Sequence, residues 1–61
     1  MEIYVQIVES FINGQIKQGK KQLKKLTLDQ RVDFVELSEE FKMLDSTDKS
    51  IILECLITRK F

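Results

Sequence analysis

The sequence predicts an all-α fold, a small four-helix domain, and three observations carry that prediction. Apolar residues recur at helical spacing in successive segments, Asn13-Gly14 stops the first periodic run, and Thr27-Leu28-Asp29-Gln30 has the form of a capping box that opens another. The 61 residues are 43% hydrophobic and 33% charged, a globular composition with room for a single domain, 1–61. The expected arrangement is a helical hairpin over 2–26 followed by helices over 28–44 and 47–60, with the last helix central. The alternative is an α+β arrangement with strands near the two termini.

The first helix is expected over 2–13. Tyr4, Val8, Phe11 and Ile12 keep a 3.6-residue period, and Gly14 follows as a residue that accepts the left-handed conformation at little cost. A strand over Ile3, Val5 and Ile7 is the rival reading, because these alternate and are β-branched. The second helix, over 15–26, carries Ile16, Gly19, Leu23 and Leu26 on one stripe and its lysines elsewhere. Gly19 inside a helix costs about 1 kcal/mol relative to Ala, so close approach of the first helix is the expected reason for it. The segment Asn13-Gly14-Gln15-Ile16-Lys17-Gln18-Gly19 resembles one helical-hairpin repeat of the tetratricopeptide kind, where a small residue sits near the start of the second helix. No second copy follows it, so the resemblance implies neither a solenoid nor a peptide groove. A helix continuous through Asn13-Gly14 is the alternative, since the apolar residues keep phase across it.

The third helix is expected over 28–44, opened by Thr27 and Gln30. Its apolar residues form two groups, Leu28, Val32, Val35 and Met43 on one side and Phe34, Leu37, Phe41 and Leu44 on another. One-sided packing cannot bury both, so a second element or a partner must cover one strip. Asp45-Ser46-Thr47-Asp48 reads as a loop and cap. In the fourth helix, over 47–60, Ile51, Ile52, Leu53, Cys55, Leu56 and Ile57 cover well over half the circumference, as a central element or a dimer surface would. A strand over 50–58 is the alternative there.

Absences bound the function. With no histidine and one cysteine, the chain lacks the ligands of a structural zinc site and any Cys–His or Ser–His pair, so no enzyme, cofactor, metal or small-molecule substrate is expected. Cys55 sits in an apolar stretch and reads as a small buried hydrophobe. Glu39, Glu40, Glu36 and Asp33 read as solubilising carboxylates rather than metal ligands. The apolar runs fall far short of the roughly 18–20 residues that span a bilayer, and Met1-Glu2-Ile3-Tyr4 has no basic leader region. A cytoplasmic protein without membrane contact is expected. Seven Ile and eight Lys against two Gly, two Arg and no Ala or Pro indicate A/T-rich codons, hence a low-GC bacterium or a bacteriophage.

Ten basic residues balance ten acidic ones, but in blocks of −2 over 1–16, +5 over 17–25, −5 over 26–48 and +2 over 49–61. Asp29, Asp33, Glu36 and Glu40 would form one acidic ridge on a continuous third helix. It reads either as a solvated face that bridges to the lysines of the second helix through exposed pairs or as a surface for a protein partner, and among the candidate sites it is the first choice for such a partner. Lys17, Lys20, Lys21, Lys24 and Lys25 form a basic patch that could follow phosphates, although no Arg, Asn or aromatic residue stands among them to read bases. The fourth helix is too apolar to be the recognition helix of a helix-turn-helix. An apolar interface is expected at Leu28, Val35, Ile52 and Leu56. Together these favour a small regulator or inhibitor that binds a larger protein, with a homodimer or a nucleic-acid-associated regulator as alternatives.

Overall fold

A computed structural model describes residues 2–61; Met1, counted in the single-domain expectation, lies outside the described residues. The chain forms α1 (Glu2–Ile12), α2 (Ile16–Lys24), α3 (Leu28–Glu36), α4 (Glu39–Lys42) and α5 (Ser46–Thr58), with no strand among the described residues. The strand alternatives at 3–7 and 50–58 are both helical.

Gly14 ends α1 at φ +77°, where an L side chain would be strained. The Gln15 N–H then reaches the Ser10 carbonyl at 2.8 Å and the Gly14 N–H the Phe11 carbonyl at 3.1 Å, the paired bonds of a Schellman stop. The chain therefore turns at Asn13-Gly14, and α2 packs back on α1. A Cβ at Gly19 would stand 2.5 Å from Cε2 of Phe11, so the crossing closes only over a glycine. The buried Ser10 hydroxyl, at the same crossing, lies 3.0 Å from both the Gln6 carbonyl oxygen and Gln22 Oε1.

Thr27 caps α3 as the capping box requires: its hydroxyl accepts from the Gln30 N–H at 3.2 Å, and Gln30 Oε1 accepts from the Thr27 N–H at 2.9 Å. The expected single helix over 28–44 is corrected. It breaks at Leu37-Ser38, where Ser38 adopts extended backbone and its hydroxyl accepts from the Phe41 N–H at 3.2 Å. A serine that can cap competes with helix continuation. The break turns α4 onto α1, burying Phe41 and Leu44 while leaving Leu37 and Met43 exposed.

Centrality is corrected as well. The core comprises Tyr4, Ile7, Val8 and Phe11 of α1 with Leu23, Leu26, Phe34, Phe41, Leu44 and Ile52. Phe34 stands between Tyr4 at 5.1 Å and Phe41 at 5.4 Å, both inclined or edge-on as aromatic quadrupoles prefer. The element at the centre is α1, which packs against both α2 and α4. From α5 only Ile52 and Cys55 are fully buried; Ile51 and Leu56 pack partly buried against the core, and Leu53 and Ile57 are exposed.

Candidate functional site

The acidic ridge does not survive the helix break. Asp29 and Glu36 remain exposed on α3, but Glu40 moves onto α4, so the i, i+4 succession ends. Asp33 is half-buried and Oδ2 accepts the Tyr4 phenol at 2.8 Å. Glu40 accepts from the Ser38 hydroxyl at 3.0 Å, and its own backbone N–H followed by that hydroxyl holds its carboxyl below the usual carboxylate range. Glu39 pairs with Lys42 at 3.6 Å, one turn away. Two of the four ridge carboxylates are thus engaged within the fold.

Lys17, Lys21, Lys24 and Lys25 are exposed on α2, and Lys20 is half-buried. Lys17 and Lys21 border a shallow depression with Gly14, Gln15, Ile16 and Gln18. Lys20 instead faces α5, sharing a recess of about 320 Å³ with Ile51, Glu54, Cys55, Thr58 and Lys60. No ion pair links these lysines to α3 among the described residues. Cys55 itself is 4% exposed, and no group of three potential metal-ligating side chains gathers among the described residues. Among the described residues no helix is long and apolar enough to cross a membrane.

Between α3 and α5 apolar side chains are left uncovered. Leu28, Val32 and Val35 form one wall of a cleft, Leu53, Leu56 and Ile57 the other, and the space between is about 240 Å³. Leu28, Val32 and Ile57 remain 69%, 55% and 79% exposed, which for branched apolar side chains on helices leaves a surface that a partner could dehydrate. Of the expected interface residues, Leu28, Val35 and Leu56 line this cleft. Ile52 is the correction, since it is fully buried in the core and does not line the cleft. Val32, Leu53 and Ile57 were missed as interface residues, although Val32 lies four residues after Leu28 and Ile57 four after Leu53, the spacing that puts each pair on one helical face.

The charged residues lining the cleft are Arg31 and Arg59. Arg31 donates from Nη2 to the Lys24 carbonyl at 3.2 Å, and its guanidinium carbon lies 4.8 Å from the centre of the Phe61 ring. Among the described residues its buried Nε has no acceptor. Arg59 ends α5 in the left-handed region at φ 59°, its N–H bonded to the Cys55 carbonyl at 2.8 Å. The arrangement offers an apolar trough with cationic hydrogen-bond donors and no nucleophile or acid–base pair. Comparison with known proteins adds no relative: no family model, curated protein or solved structure matches the chain.

Proposed function

We propose that this chain is a small non-catalytic interaction module that docks onto a larger protein in the cytoplasm and regulates or inhibits it. The observation that carries the reading is the uncovered cleft between α3 and α5, where six apolar side chains from two helices meet without a third element over them among the described residues. A core of this size leaves little stability in reserve, so apolar surface left in water is better accounted for by an occupant than by folding. The A/T-rich residue usage supports a regulator of bacteriophage or mobile-element origin.

The test is affinity capture from extracts of the native host with the native chain and with Leu28→Glu/Ile57→Glu. Both positions are largely exposed, so the variant should retain its helical circular dichroism. The expected result is one or more proteins held by the native chain and lost with the variant. Identical capture by both chains would remove the cleft from the function.

A further inference from the structure

Resting on the docking role of this cleft, we infer its occupant: an amphipathic helix of the partner whose apolar stripe is bordered by carboxylates. Shape supplies the first half of the argument. Two helices that leave a trough between them present the seat into which a third helix packs its i, i+3, i+4 and i+7 side chains. The α3 wall is nine residues long, so it rises about 13 Å and matches roughly two to three turns of an incoming helix.

Charge supplies the second half. Every charged side chain lining the cleft is an arginine, and no carboxylate stands among the lining residues. A planar guanidinium presents paired donors to a carboxylate, and the pair gains strength where apolar neighbours exclude water. Arg31 is already oriented by the Lys24 carbonyl and the Phe61 ring, so its guanidinium is held in place where it lines the cleft. Arg59 holds a left-handed backbone position at which glycine carries less strain, so its side chain can be removed there without cost to the backbone. A second copy of this chain seated face to face would bring four arginines into one apolar interface, which disfavours it against an acidic partner.

Two synthetic helices with the same leucine stripe, one carrying Glu and the other Lys at the flanking positions, test the inference. Binding is followed by fluorescence anisotropy and by methyl NMR of the full chain. The Glu peptide should bind at least tenfold more tightly than the Lys peptide and shift the methyls of Leu28, Val32, Leu53 and Ile57. Arg59→Gly should melt no lower than the native chain and yet bind the Glu peptide severalfold more weakly, with a shallower salt dependence. Equal binding of the two peptides would overturn the acidic occupant while leaving the docking role intact. Absence of methyl shifts with either peptide would overturn the helical occupant. A stable dimer of the free chain with those methyls at the dimer interface would replace it with a second copy. The docking role itself stands or falls separately, on the loss of captured proteins with Leu28→Glu/Ile57→Glu.

Discussion

The Tyr4 phenol is 3% exposed, and its hydroxyl donates to Asp33 at 2.8 Å with the Gln30 carbonyl 3.1 Å away. Burial first, then the hydrogen bond to Asp33 and the charge of that carboxylate, push its pKa from 10.0 up to about 12. Because the folded value is the higher one, the unfolded chain releases the proton first. This contribution to stability is therefore complete below pH 10 and lost as pH rises toward about 12. The sequence has one tyrosine, so tyrosinate absorbance reports this group alone. The expected outcome is a native midpoint well above that in denaturant, and a loss of stability over this window that is smaller in Tyr4→Phe. Coincident native and denatured titrations would show that the phenol is not buried against Asp33. The helical stripe revealed that Tyr4 faces the core, but nothing in the sequence joined it to a carboxylate 29 positions away. Asp33 was consequently assigned to a surface ridge, when its local environment is set by another helix.

Helix α2 crosses α1 at a distance set by one missing methyl group. In an unconstrained helix, Gly→Ala is stabilising by about 0.5–1 kcal/mol. Here the new Cβ would meet Phe11 Cε2 at 2.5 Å and Cδ2 at 2.7 Å, and that ring is 2% exposed with no free space to retreat into. Gly19→Ala is expected to lower stability by about 1–3 kcal/mol, the usual cost of overpacking, and Phe11→Leu in the same chain should recover part of the loss. Urea unfolding of the two single variants and the double variant measures both terms; a stabilised Gly19→Ala would mean that the helices do not cross there. This crossing was legible because Gly19 falls on the apolar stripe of its own helix. The break at Leu37-Ser38 was not, because Phe34 and Phe41 are seven residues apart and keep the same phase whether or not the helix continues. Only Ser38 followed by Glu39 and Glu40 marked a new N-terminus, and a capping residue inside a periodic run is a weaker signal than the period itself.

At the scale of the whole molecule, the charge blocks and the surplus of apolar surface were both legible, while their placement was not. Periodicity located two apolar strips on the third helical segment, yet which strip the fold covers depends on α1 lying beside Phe34 and Phe41, a contact between distant parts of the chain. The lysine block poses the complementary question of whether +5 over 17–25 directs the chain to a polyanion. Lys17, Lys21 and Lys24 are exposed and make no ion pair with α3, so replacing all three by Gln should change stability by no more than about 0.5 kcal/mol. The neighbouring −5 block repels phosphates that the lysines attract, and Lys20 is turned toward α5 rather than aligned with the others. The native chain is therefore expected to leave a labelled DNA duplex unshifted even at about 50 mM salt, where phosphate contacts are strongest. A shift that the triple Gln variant loses, with a salt slope shallower by up to about three, would move the function from protein docking to nucleic-acid binding.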